Sequence, residues 1–567
     1  MITITTASPA LARRTWLPYL IIPLTLIALT LLFLFPAAWE FPMDDTYIHF
    51  VYAHNLAETG RIAFNSAEEV GVGSTSLTWV ALLASAYRLG VPFQVSAKLF
   101  GLLSLIAVGL LLYRLTLPHL GERMALAFAL LVSASGHFLW FSLSGMETTL
   151  FLALGLLALL LYGEQRWTWL GVVLGLLALT RPDGLALAAA VGLIALWQYR
   201  KKFLLRGPGV WNGLRGPLLA GMICLLVCGP WFGYLLARTG HILPTSAVGK
   251  QTSSLLAIQL IVSRSPELAF LAEVPALVYA GTWAMYLLMF VLGGMALPGP
   301  GLPVGAEVGN AAYTVSYLGM LAWAAIVAPL LIQFIRGLPE RFRRLNPGSS
   351  MLLFAAWLLL HNLVYAFFLP IPGTASRYGT INHVALWLML LLGLRWLKAN
   401  HRVKTALVVG LVLLAAANTL YWNGVYDANL EHMHNVRIRA AAYVKNTLPA
   451  DSRVAAFDVG AIRYYTGRPI LDLGGLIDPE LGDVYRAEGR LDGYIADRGM
   501  QYIVLPGRAG AWQDGWFDFA HGMGLTDSSR FTIEQIAVFE IDHERWLLGY
   551  LPTNNYQATV TVYWVIP

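Results

Sequence analysis

Residues 16–38 read WLPYLIIPLTLIALTLLFLFPAA, a run without a single charged side chain. In lipid such a segment satisfies its own backbone only as a helix, and about 20 residues suffice to cross the hydrocarbon core. Arg13 and Arg14 precede it, and it is longer than the core of a cleaved signal peptide, so a retained signal-anchor is predicted. Runs of the same kind recur at 94–116, 123–142, 147–163, 167–180, 184–199, 216–237, 312–335, 350–369, 381–397 and 404–422. Together they predict a polytopic α-helical membrane protein with about eleven transmembrane helices. Two further apolar stretches, 76–90 and 275–296, are assigned to the outer interface, because counting either alone as a crossing would reverse every later loop.

Composition points the same way: 57% of the 567 residues are hydrophobic and 12% charged, against roughly 25% charged in an ordinary soluble domain. The net charge of +6 is unevenly spread. Residues 1–422 carry 26 Lys/Arg and 14 Asp/Glu, whereas residues 423–567 carry 12 and 18. The basic excess belongs to the membrane part, where the positive-inside rule expects it, so no nucleic-acid partner is implied. With eleven crossings, 18 Lys/Arg fall in inner loops and seven in outer ones. This places the N-terminus in the cytoplasm and the C-terminal tail outside it. The two cysteines, Cys224 and Cys228, share one helix face in a single span and read as small packing residues rather than a disulfide.

The expected organisation is a transmembrane module at 1–422, with a first outer loop at 39–93 and a large outer loop at 238–311, followed by an extracytoplasmic α/β domain at 423–567. In that tail a helix is predicted at 436–447, strands at 453–458, 470–473 and 502–505, and a β-rich end near 531–563. The Gly/Pro-rich stretch 293–309 reads as a low-complexity loop.

Ionisable residues at membrane level are costly unless they pair or line a wet cavity. In this topology they collect on the outer side from five loops: Asp44 and Asp45, Glu147, Arg181 with Asp183, Lys250, and Arg377 with Tyr378. The first loop, 41–56, includes His49 and His54 and carries apolar or aromatic residues at 47, 48, 51, 52 and 56. It predicts a short amphipathic helix lying at the interface, with the two aspartates at its start. An N-cap role accounts for one aspartate but not for both. A first-turn acid at a helix dipole is the structural alternative for Glu147, and a local ion pair that for Arg181 and Asp183. Adjacent carboxylates cannot flank a glycosidic bond as a hydrolase's paired acids do. Transfer from a lipid-linked sugar phosphate needs one carboxylate as base, and cations to stabilise the leaving phosphate.

The run Asp44-Asp45-Thr46-Tyr47-Ile48, then 64–65, 68–70 and 73–79, with Ser144-Gly145-Met146-Glu147-Thr148, Arg181-Pro182-Asp183-Gly184 and Leu243-Pro244-Thr245 ahead of Lys250, resembles the GT-C superfamily of membrane glycosyltransferases. Within it the chain is similar to bacterial arabinofuranosyltransferase-like proteins that use polyprenyl-phosphate sugars, and the likeness extends into the tail at 448–454 and 458–468. The resemblance implies a polyprenyl-phosphate-linked sugar donor, a glycan or lipid acceptor outside the cytoplasm, inversion at the anomeric carbon, and a bacterial inner-membrane location. It implies Asp44 or Asp45 as catalytic base, and Lys250 and Arg377 at the donor phosphate; Glu147, Arg181, His54 and Tyr378 are further expected substrate-binding residues. Near Lys250 the sequence departs from the family pattern: Pro-Thr-Ser replaces Pro-Asn-Thr. Asp44 is expected to be the base, since it lies further from the helix interior, and Asp45 to orient the acceptor or hold a divalent cation. No other cofactor is expected. The competing class is a polytopic transporter or flippase, which should place its charges near mid-span rather than at one end.

Overall fold

The computed structural model describes residues 16–35, 39–65, 73–204, 210–246, 266–291, 310–342, 349–369, 373–478, 480–510, 518–541 and 559–567. Lys250, Glu68, Glu69 and the stretch 293–309 lie outside the described residues, as does part of the large loop 238–311.

Every predicted span has a helix. The first ten helices of the chain are α1 (Leu17–Leu34), α2 (Asp44–Thr59), α3 (Leu77–Arg88), α4 (Phe93–Leu120), α5 (Glu122–Ser133), α6 (Gly136–Leu143), α7 (Thr148–Gly163), α8 (Trp167–Thr180), α9 (Leu185–Leu204) and α10 (Val210–Thr239). Later come Pro275–Met289, Asn310–Phe342, Ser350–Phe367, Thr380–Trp396 and His401–His432. Among the described residues six helices are long and apolar enough to cross a bilayer by themselves, seven if the bent pair α5 and α6 counts as one. The others expected to cross include α7 and α8, at 16 and 14 residues.

The pair α5–α6 is bent by 55° between its halves. A broken helix leaves backbone groups unpaired, which apolar surroundings cannot satisfy. Here the helix His401–His432 supplies the partners. Gly136 N–H donates to Asn418 Oδ1 (3.1 Å), and Thr419 Oγ1 donates to the carbonyl of Ala134 (3.1 Å). Nearby, Trp140 Nε1 donates to Asn429 Oδ1 (3.0 Å). Gly136 is required at this crossing, because a Cβ there would collide with Trp422.

The helix His401–His432 runs unbroken through residue 422 and, by a π-helical turn at Met433–Ile438, into Arg439–Thr447. It carries the chain into a five-stranded sheet made of β1 (Val454–Ala456), β2 (Ile470–Asp472), β3 (Tyr502–Pro506), β4 (Thr532–Glu540) and β5 (Thr559–Ile566). The order is β2-β1-β3-β5-β4, with β1 parallel to both β2 and β3, and β5 antiparallel to β3 and β4. Helix Gly460–Thr466 connects β1 to β2.

One expectation is corrected here. Helix α2 is not an amphipathic helix with a lipid-facing stripe: Thr46 through Ala53 are all buried. Its Tyr47, Phe50, Val51 and Tyr52 share one core with Val436, Ala440, Val459, Ala461, Ile462 and Ile470 of the C-terminal part. At about 1.5–3 kcal/mol for each large apolar side chain buried, this seam is a principal tie between the two parts.

Replacing Asn418 by Leu leaves the Gly136 N–H unpaired at the break. The substitution should destabilise the protein by about 1–3 kcal/mol, read as a lowered melting temperature in detergent, whereas Asn418→Gln should lose less.

Candidate active site

The ionisable residues drawn from separate turns meet at the end of the bundle that carries the C-terminal sheet. Asp45 and His49 sit one turn apart on α2 and both line a cavity of about 300 Å³, at the small end of the ~300–1,000 Å³ typical of small-molecule clefts. Glu147 enters from the α6–α7 junction. That turn is fixed by Gly145 (φ +78°), where a Cβ would strike Thr46 and Phe41. Thr46 Oγ1 donates to the Ser144 carbonyl (2.6 Å) and Trp79 Nε1 to that of Gly145 (2.9 Å). Arg181 and Asp183 come from the short 3₁₀ turn between α8 and α9, and Arg377 and Tyr378 from the 3₁₀ segment Thr374–Gly379. Ser376, just before Arg377, is held at φ +60°, a conformation costly for a residue with a Cβ and tolerated where surrounding structure imposes it.

Two guanidiniums dominate the electrostatics, and each residue is only 4% exposed. Arg181 makes a bidentate pair with Asp183, Nε to Oδ1 and Nη2 to Oδ2, both 3.1 Å. Its Nη2 also donates to the Tyr365 hydroxyl (2.6 Å), which donates to Asp183 Oδ2 (3.0 Å). Arg377 pairs with Asp45, and its Nη2 donates to the Tyr378 hydroxyl (3.0 Å). The Tyr378 ring lies between the cations, 4.4 Å from Arg181 and 5.0 Å from Arg377, a favourable placement over an aromatic face. Despite these contacts, Arg181 Nη1 and Arg377 Nε are buried without a hydrogen-bond partner among the described residues. Buried donors of this kind are costly unless something binds them.

Glu147, 3% exposed, lies 3.3 Å from His49 Nε2. His361 braces the far side: its Nε2 meets the Tyr378 carbonyl at 2.9 Å, and its Nδ1 lies 3.5 Å from Asp183. Leu185, Ala186, Val364, Phe368 and Leu369 give an apolar part of the lining, and Ser74, Thr75 and Ser246 add hydroxyls. Leu476 and Ile477 of the C-terminal part also line the cavity. Among the described residues no cluster of three or more His, Cys, Asp or Glu side chains is placed to hold a metal ion.

Of the residues singled out from sequence, Asp45, Glu147, Arg181, Arg377 and Tyr378 line this cavity. Asp44 does not: its carboxylate accepts the backbone N–H groups of Gly460 (2.7 Å) and Ala461 (2.8 Å) at the start of the β1–β2 helix. Both oxygens of Asp44 are therefore turned to the C-terminal part. His54 is likewise apart, exposed and packed beside Tyr87 at 5.4 Å. His49, Tyr365, His361 and Ile477 were not singled out from sequence as site residues. Only His49 had a signal there, being four residues after Asp45 on the same helix face.

A family model described as a domain of unknown function (DUF8728) matches residues 425–563. No curated protein matches the chain. Among solved structures the chain is similar to ArnT from Cupriavidus metallidurans bound to undecaprenyl phosphate, at 13% identity and a TM-score of 0.50, covering 97% of this chain and 98% of that one. The apo state of the same protein gives 13% identity and a TM-score of 0.49, over 96% and 97%. The oligosaccharyltransferase AglB from Archaeoglobus fulgidus, in complex with an inhibitory peptide and a dolichol-phosphate, gives 12% and 0.48, over 87% and 70%. The likeness to undecaprenyl-phosphate-bound ArnT runs nearly end to end and shows a shared fold.

Burial and then the neighbouring charge of Asp458 push the Asp44 carboxyl up from 3.8 to about 7. A raised folded-state pKa means that this group's contribution to stability is full below pH 3.8 and is lost as pH rises toward 7. Asp44→Asn keeps a capping side chain but cannot ionise. Its melting temperature should therefore gain on the wild type as pH is raised from 4 to 7, with the difference levelling off above.

Proposed function

We propose that this protein is a membrane glycosyltransferase that moves a sugar from a polyprenyl-phosphate donor to a hydroxyl of a glycan or lipid acceptor on the outer side of a bacterial inner membrane. The observation that carries this reading is a pair of buried guanidiniums, each with an unpartnered N–H, set beside a carboxylate in a cavity that apolar side chains also line. Two cations with spare donors suit a phosphate. The apolar wall of Leu185, Ala186, Val364 and Phe368 suits the first isoprene units attached to it. The likeness in fold to a protein crystallised with undecaprenyl phosphate supports the same reading.

In this mechanism the donor phosphate lies between Arg181 and Arg377, and Tyr378 keeps the two guanidiniums apart. Arg181 stays paired with Asp183. Arg377, which pairs with Asp45, is shared with the phosphate on binding, and the Asp45 carboxylate is freed to accept a proton. The acceptor oxygen attacks the anomeric carbon from the side opposite the phosphate, and its proton passes to Asp45. The carbon–oxygen bond to phosphate breaks with its electron pair, and the polyprenyl phosphate leaves as an anion stabilised by both cations. In-line displacement inverts the anomeric centre. Glu147, ionised beside His49, offers an acceptor for a second hydroxyl of the bound sugar. Lys250 remains a further phosphate candidate.

With the full-length protein in detergent, a synthetic polyprenyl-phosphate sugar and no ion gradient, transfer to an acceptor is expected, which a transporter would not perform. Asp45→Asn should cut turnover about 10²- to 10⁴-fold. Arg377→Gln, removing a charge-assisted contact of about 1.5–3 kcal/mol, should weaken donor binding about 10- to 100-fold. Full turnover by Asp45→Asn would return the base role to another group.

A further inference from the structure

The roof of the cavity comes from the C-terminal part of the chain. Strand β2 ends at Asp472, which is 2% exposed, and the chain then folds back over that side chain as the loop 473–478. The Asp472 carboxylate accepts the backbone N–H groups of Gly474 (2.7 Å) and Ile477 (2.6 Å), so both ends of the turn are tied to one buried acid. Burial pushes its pKa up to about 6 while those hydrogen bonds pull it down, which leaves the accepting, ionised form in the majority at neutral pH.

The loop is gripped from the membrane side as well. Thr245 Oγ1, in the segment following α10, donates to the Leu476 carbonyl at 3.0 Å. Gly73 packs so closely beneath that a Cβ there would lie 2.6 Å from the Leu476 oxygen and 3.1 Å from the Ile477 Cα. The tip of this twice-held turn, Leu476 and Ile477, faces the same cavity as Asp45, Arg181 and Arg377.

We propose, resting on the glycosyltransferase reading, that the loop 473–478 is the acceptor-facing wall of the site. Asp472 is then a positioning residue that decides between transfer to acceptor and loss of the sugar to water. The donor's lipid and phosphate are accounted for by the opposite wall and the two arginines. What remains for Leu476 and Ile477 is the side from which the attacking hydroxyl arrives. Two apolar side chains there pack against the non-reacting face of an acceptor saccharide and exclude water from the space they fill. If the wall is loosened, water occupies that position. The water oxygen bonds to the anomeric carbon, its proton passes to Asp45, the same bond to phosphate breaks, and the products are free sugar and polyprenyl phosphate.

The test uses the full-length protein with a radiolabelled synthetic polyprenyl-phosphate sugar, and counts transferred and free sugar with and without acceptor. Asp472→Asn should raise the ratio of free to transferred sugar and the acceptor KM by about 10-fold or more, with the donor KM unchanged. Thr245→Val and Ile477→Ala should shift the ratio in the same direction and decide the matter if Asp472→Asn fails to fold. A wild-type ratio in these variants, even with a lowered kcat, overturns the assignment of the loop. A wild-type protein that neither transfers nor hydrolyses any donor overturns the underlying reading of function instead.

Discussion

Two adjacent carboxylates at the head of one helix face opposite ways, and the rest of the site depends on that divergence. Successive side chains on an α-helix are about 100° apart. Asp44 is therefore turned to the N-terminus of the β1–β2 helix, while Asp45 is turned to Arg377 and the cavity. The first carboxylate joins the sheet to the membrane part and the second addresses the chemistry. Neither can exchange roles without α2 rotating out of the core that Tyr47, Phe50 and Tyr52 fill from both sides.

Around that helix the cavity is built by paired opposites. Arg181 is matched by Asp183 and Arg377 by Asp45, because unpaired charges at this burial would be prohibitively costly. Removing any one partner strands another, so the lining behaves as a unit rather than as separable contacts. The pairing is incomplete at Arg181 Nη1 and Arg377 Nε, and those two donors are where a negatively charged ligand gains most.

Much of this was legible in the sequence, for identifiable reasons. Apolar runs announce helices because lipid permits little else, and each of the eleven expected spans contains one. Strands at 454–456, 470–472 and 502–506 follow from short apolar runs between turn residues. Asp45, Glu147, Arg181, Arg377 and Tyr378 were recognisable as charged or polar groups in turns at one end of the bundle. What the sequence could not reveal depends on contacts between distant segments. Asp44 is 416 positions from Gly460, and nothing local distinguishes a carboxylate that caps a remote helix from one that faces solvent. Helix α2 carries the apolar spacing of an interfacial helix, yet the helix Gly460–Thr466 covers the face that would otherwise lie open. Leu476 and Ile477 are ordinary apolar residues until the fold sets them over the cavity.

The final membrane helix enters the sheet domain through the π-helical turn Met433–Ile438 without an intervening loop. Such a turn holds one more residue than the α-helical path around it, and each residue added to or taken from a helix rotates everything beyond by about 100°. The strut therefore sets the angular phase of the sheet against the bundle. Any chimera that joins this C-terminal portion to another membrane scaffold has to splice in phase, or Ile477 swings off the cavity while every element keeps its own fold.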